Sequence, residues 1–153
     1  MKSRVKNVIT IDGPSDIVYD EIWECEKWPS YSPGCLEVKI LEKNGHKMRR
    51  FLKAEMNNRV VEMVTDCQYI PKEGMTFQQV QSPWPLSGNR GEWKFINENG
   101  KTRIELTHVL ESNIPVVGWF LVKYVISRFY TYKQSKRVLE KLKERIENKE
   151  YLN

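Results

Sequence analysis

The chain has little of what most often announces a chemistry. Its three cysteines, Cys25, Cys35 and Cys67, are odd in number and lack CxxC spacing, and its two histidines are His46 and His108. That inventory excludes a zinc constellation and a disulfide framework, so the thiols are expected to be reduced and no metal or cofactor is called for. Long apolar runs are scarce as well. The richest stretch, IPVVGWFLVKYVI at positions 114–126, is interrupted by Lys123 and is too short for a bilayer anchor, although it leaves membrane contact open. Linkers, internal repeats and low-complexity segments are absent. The 153 residues therefore read as one domain over 1–153, long enough to bury a core without staples. The opening MKSRVKNVITIDGP is basic but has no apolar run of signal-peptide length, and the expectation is a cytoplasmic protein.

Charge of one sign is not concentrated either. The 25 basic and 20 acidic residues give a net +5 spread along the chain, with modest clusters at 47–50 and 133–145. Nucleic acid is not an expected partner, whereas an acidic protein or an anionic surface is electrostatically suited.

What the chain does have is period. Positions 4–12 alternate around Val5, Val8, Ile9 and Ile11 as a strand, and Gly13-Pro14 then opens a helix whose apolar face is Ile17, Val18, Ile22 and Trp23. A second helical turn over 26–31 ends at Pro33-Gly34. Turn signals at 44–45, 57–58, 72–74, 82–88 and 97–100 separate predicted strands at 36–41, 46–55, 59–70, 75–81, 90–96 and 102–111. After Pro115 the spacing changes: Leu121, Val125, Arg128, Tyr132, Ser135, Leu139, Leu142 and Ile146 recur every three or four residues, as one stripe of a long helix. The order predicts an α+β fold with a seven-stranded antiparallel curved sheet, two short helices after the first strand, and a long C-terminal helix covering the apolar face.

The segments ITIDGPSDIVYDEIWECEKWPSY, LEVKILEKNG, NRVVEMVTD, GEWKFINENGKTRIELTH and RVLEKLKERIE carry a resemblance over nearly the whole chain. It is to the polyketide cyclase/aromatase branch of the START-like, helix-grip (SRPBCC) superfamily, and more distantly to coenzyme Q-binding and RatA-like proteins. The resemblance implies a curved sheet gripping the last helix around a deep cavity for an apolar or aromatic ligand. It also implies a departure. Where tetracenomycin-type aromatase/cyclases carry tryptophans, a serine and a cavity arginine, this chain holds Val61 and Met63, Thr65, and Cys67 respectively.

Strand alternation indicates which side chains face the helix, because residues two apart share a face. The sets Leu36/Val38/Ile40, Met48/Leu52/Ala54, Val61/Met63 and Ile104/Leu106/Leu110 define the inner face, and Arg50, Thr65, Cys67 and His108 share its parity. Gln79 and Gln81 join Phe77 and Met75, and Trp93 is a further wall candidate. Arg50 is the replacement for the missing cavity arginine, unless a slip or bulge turns Arg49 or Phe51 inward instead. His108 is a candidate general base or a hydrogen-bonded structural histidine, while His46, next to a turn, is expected to be exposed. Tyr132 and Ser135 place hydroxyls on the helix stripe, with a surface-reaching tyrosine as the alternative. Arg128 is expected to snorkel outward. Cys67 has no base beside it in sequence and reads as a small hydrophobe. The loop SPWPLSGNRGEW either closes over a ligand or packs Trp84 onto the sheet.

Catalytic candidates are thus Arg50, His108, Thr65 and Tyr132. The substrate wall is Met48, Leu52, Val61, Met63, Cys67, Phe77, Gln79, Gln81, Trp93, Leu106 and Ser135. The resemblance implies aldol cyclisation and dehydration of a poly-β-ketone carried on an acyl carrier protein. A non-catalytic carrier of a quinone or lipid and a RatA-like interaction module are the other readings.

Overall fold

The computed structural model describes residues 2–56, 58–116, 120, 123, 126 and 130–152. The first strand, β1 (Lys2–Ile11), leads through Gly13-Pro14 into α1 (Ser15–Trp23) and then a 3₁₀ segment (Cys25–Ser30). Six strands follow in succession: β2 (Cys35–Asn44), β3 (Lys47–Met56), β4 (Arg59–Ile70), β5 (Gly74–Gln81), β6 (Gly88–Glu98) and β7 (Lys101–Glu111). The C-terminal helix α2 spans Tyr132–Glu147. The sheet order is β1-β7-β6-β5-β4-β3-β2 with antiparallel pairs throughout. The predicted α+β architecture is therefore the observed one, with most strands a few residues longer than their apolar cores. Leu121, Val125 and Arg128 lie outside the described residues.

The tight turns are set by local chemistry. Asn99 and Gly100 both take positive φ (51° and 82°), the two-residue hairpin geometry that matches strand twist. Gly91 serves a different purpose. A Cβ there would meet the Thr107 carbonyl oxygen at 1.8 Å and Phe77 Cζ at 2.8 Å. Only a bare α-carbon lets β6 fold this closely over its neighbours.

The core lies between the inner sheet face and the helices. Leu139, Leu142 and Ile146 of α2 and Val18 and Ile22 of α1 bury against Ile104, Leu106 and Phe95. One buried ion pair clasps the two helices: Arg145 Nε donates to Glu21 Oε2 at 2.6 Å. The Arg145 guanidinium also stacks on Tyr31 at 4.4 Å, while Tyr31 and Trp28 donate to the Glu21 carbonyl. The aromatic 28–31 segment thus wedges between α1 and α2 before the chain enters β2.

One inner-face expectation is corrected here. Leu36 is 47% exposed and Cys35 is buried in its place. The β2–β3 register shifts between Cys35 and Glu37, and an extra residue in a ladder turns the side chains beyond it to the other face.

Candidate functional site

A cavity of about 230 Å³ opens between α2 and the sheet. Its apolar wall includes Ile22, Leu52, Met63, Leu106, Val138 and Leu142, and its polar groups include Arg50, Thr65, Gln79, Asn89, His108 and Ser135. A wider, solvent-open groove of about 770 Å³ on the other side of the sheet carries charges of both signs, and Arg49 and Asp66 are paired there at 2.6 Å.

Arg50 points inward and is only 7% exposed. The β3–β4 register runs without a shift from Lys47 to Met56, which keeps Arg50 on the face of Met48 and opposite Thr65 and leaves Arg49 outside with Asp66. Its Nη1 donates to the Tyr69 hydroxyl at 3.4 Å, and that hydroxyl donates to the Ile22 carbonyl at 3.0 Å. The guanidinium lies 4.4 Å from the Trp28 ring, and Nε has no hydrogen-bond partner among the described residues. A buried cation stacked on an aromatic face and short of acceptors favours an oxygen-rich ligand group.

His108 sits between Leu106 and Leu110 on β7. Its Nδ1 is 3.3 Å from Asn89 Oδ1, and its Nε2 is 3.1 Å from Ser135 Oγ. The Phe77 ring covers it at 5.2 Å. Burial pushes the imidazole down to about 4, so it is neutral at neutral pH. Thr65 is buried and faces the cavity from β4, opposite Gln79 on β5. The Gln79 amide nitrogen rests on the Met63 thioether at 3.2 Å, a weak acceptor.

Other sequence-based candidates fall elsewhere. Tyr132 is 41% exposed and off the wall. It lies on the line of Leu139 and Ile146, seven residues apart, while the cavity faces Thr131, Ser135, Val138 and Leu142. Met48 and Cys67 are buried beneath the wall, with Met48 Sδ 3.6 Å from Cys25 Sγ. Burial raises the Cys67, Cys25 and Cys35 thiols, Cys35 to about 11, and this disfavours thiolate chemistry. Val61 is half-buried and off the wall, and Gln81 is exposed beyond the β4–β5 shift between Val64 and Thr65. Trp84 is 72% exposed and does not pack onto the sheet, while its neighbours Pro83 and Leu86 reach the cavity. His46 is exposed, with its Nδ1 3.4 Å from the Tyr19 hydroxyl.

Leu52, Met63, Phe77, Gln79, Trp93, Leu106 and Ser135 do line the cavity. Sequence reasoning missed Asn89 and Thr131, whereas the segment from Trp28 to Leu36, which the family resemblance puts near the cavity mouth, does contribute Trp28, Tyr31 and Cys35 to the lining. Asn89 is legible by parity with Gly91 and Trp93, but the predicted strand starts at 90, two residues after the observed start at Gly88. No group of three or more His, Cys, Asp or Glu side chains suited to a metal occurs among the described residues.

A seven-stranded antiparallel sheet closed over a C-terminal helix, with a cavity between them, defines the helix-grip class of folds. The family model described as polyketide cyclase / dehydrase and lipid transport matches residues 2–147, and the chain belongs to that family. Among solved structures it is similar to a Thermus thermophilus protein, at 21% identity and TM-score 0.81 over 94% of this chain and 97% of that one. It is also similar to the di-domain aromatase/cyclase StfQ of the steffimycin biosynthetic pathway, at 17% identity and TM-score 0.87 over 97% of this chain and 52% of that one. A Streptomyces aromatase/cyclase, Zhui, matches at 16% identity and TM-score 0.73, over 97% of this chain and 90% of that one. No curated protein matches the chain. At these identities the structural neighbours speak for the fold.

Proposed function

We propose that the protein orders a carrier-bound poly-β-ketone in its cavity and directs intramolecular aldol closure and dehydration. The observation that carries this reading is the opening of a neutral imidazole, His108, and a buried cation, Arg50, onto one largely apolar cavity. A flexible ketide loses its conformational freedom on entering such a cavity, so the bond-forming geometry is selected before chemistry begins. His108 takes the proton of an activated methylene, directly or through the Ser135 hydroxyl. Arg50 and the under-used Gln79 amide stabilise the developing enolate and alkoxide, with Thr65 beside them. The imidazolium so formed is a strong proton donor because burial disfavours it, which suits loss of water from the aldol product. A net +5 chain is electrostatically matched to an acidic acyl carrier protein.

A second reading, a non-catalytic carrier of a quinone or lipid, is favoured by the wall of Ile22, Leu52, Met63, Leu106, Val138 and Leu142, and by the lipid-transport part of the family description. Product analysis with a carrier-bound ketide chain separates the two. Arg50→Met and His108→Gln are each expected to reduce the cyclised product by 10²-fold or more, on the order expected for a general base or a charge stabiliser. Apolar ligand binding should survive in both. Unchanged products in both variants would exclude these two residues from the chemistry and move the assignment to a carrier.

A further inference from the structure

The hydrogen-bond chain through His108 has a geometry that proton abstraction alone does not require. Asn89 on β6 is the diagonal cross-strand neighbour of His108, whose direct partner is Gly91. Because Gly91 presents no side chain, Asn89 reaches across to the imidazole. Its Oδ1 accepts Nδ1–H at 3.3 Å, and this leaves the Nε2 lone pair for the Ser135 hydroxyl at 3.1 Å. Ser135 is buried in the second turn of α2 and faces the cavity beside Val138. A hydroxyl on a base, with that base oriented by a third group, is the arrangement that activates a nucleophilic serine.

We propose that Ser135, His108 and Asn89 form a nucleophile, base and orienter that accept an acyl group from an apolar thioester or activated ester, giving the cavity an acyl-transfer and hydrolytic activity. The proposal rests on the reading that this cavity takes an acyl chain. Ser135 Oγ attacks the carbonyl carbon as its proton passes to His108 Nε2. The carbon–sulfur or carbon–oxygen bond of the leaving group then breaks, and Nε2–H returns the proton to the departing thiolate or alkoxide. Water repeats the sequence on the acyl-serine: it yields its proton to Nε2, the acid forms, and Ser135 recovers its hydroxyl. Arg50 and Gln79, whose amide nitrogen has only a thioether as its acceptor, also line this cavity, and their donors are available to the carbonyl oxygen as its charge develops.

The test uses the full chain with p-nitrophenyl hexanoate and with the hexanoyl thioester of N-acetylcysteamine. Acid-quenched intact mass and peptide mapping follow the protein, and absorbance follows nitrophenol. A burst with one hexanoyl group per chain, mapped to Ser135, is expected. Ser135→Ala should abolish adduct and burst, and Ser135→Cys, close in size, should restore an adduct at the same position. His108→Gln should slow acylation by about 10²-fold or more, and Asn89→Leu should slow it while Asn89→Asp retains most of it. Melting curves confirm that each variant is folded. Acylation of lysines or of the native cysteines that persists in Ser135→Ala, or no acyl-enzyme at all, would overturn the proposal. Cyclisation of the ketide chain by the wild type, measured separately, reports on the reading under Proposed function, so the two fail independently.

Discussion

At the scale of single residues, the most consequential fact is that His108 is held neutral by burial among Phe77, Asn89 and Ser135. Its folded value is lowered to about 4 from an ordinary 6.5. The unfolded chain therefore takes up this proton at higher pH than the folded chain does. The stability linked to the group is complete above pH 6.5 and is lost as pH falls toward 4, by roughly 3 kcal/mol. Urea midpoints measured from pH 7 to pH 4 should fall less steeply in His108→Gln than in the wild type. Parallel declines would show that the imidazole titrates normally in the fold. Arg50 and His108 were readable from strand parity because β3 and β7 pair with β4 and β6 without a shift over those residues. Tyr132 was not, because two lines of the same apolar stripe diverge: one meets the core at Leu139 and the other lines the cavity at Ser135.

At the scale of elements, the grip depends on how α1 and α2 are tied together. The Glu21–Arg145 pair is buried on both sides, with side-chain exposures of 6% and 12%, and Tyr31 covers the guanidinium. Removing one partner leaves a buried charge uncompensated, whereas replacing both with apolar residues removes the desolvation cost together with the attraction. Arg145→Ala is expected to lower unfolding free energy by about 3–5 kcal/mol, and Glu21→Leu combined with Arg145→Met to recover most of that. Chemical denaturation of the three proteins decides the point, and equal losses in single and double variants would show that packing alone joins the helices. The existence and order of the elements followed from period and turn chemistry. The register shifts in β2 and at the end of β5 had no sequence signal, and they are what put Leu36 and Gln81 outside.

At the scale of the whole molecule, the fold maintains an unfilled space between sheet and helix, and the proposed function depends on it. Ala54, buried on β3, leaves part of that space open. Ala54→Leu should weaken binding of an aromatic ligand such as 1,8-ANS at least 10-fold, while the melting temperature stays the same or rises, because the added methyl groups enter a cavity and not a packed core. Fluorescence titration and a thermal scan measure both. Undiminished binding would place the ligand elsewhere. A fall in melting temperature would show that the site is already packed.

By itself the sequence determined the architecture, because alternation, helical spacing and turn residues are local properties that each segment expresses wherever it sits. It also determined which ionisable groups were available to an inner face. The tertiary structure alone decided which of them meet. Asn89, His108 and Ser135 come from two strands and a helix far apart in the chain, and their contact depends on the bare Gly91 and the rotation of α2. Side-chain contact at 3 Å is a property of packed distances, and no periodicity in one dimension encodes it.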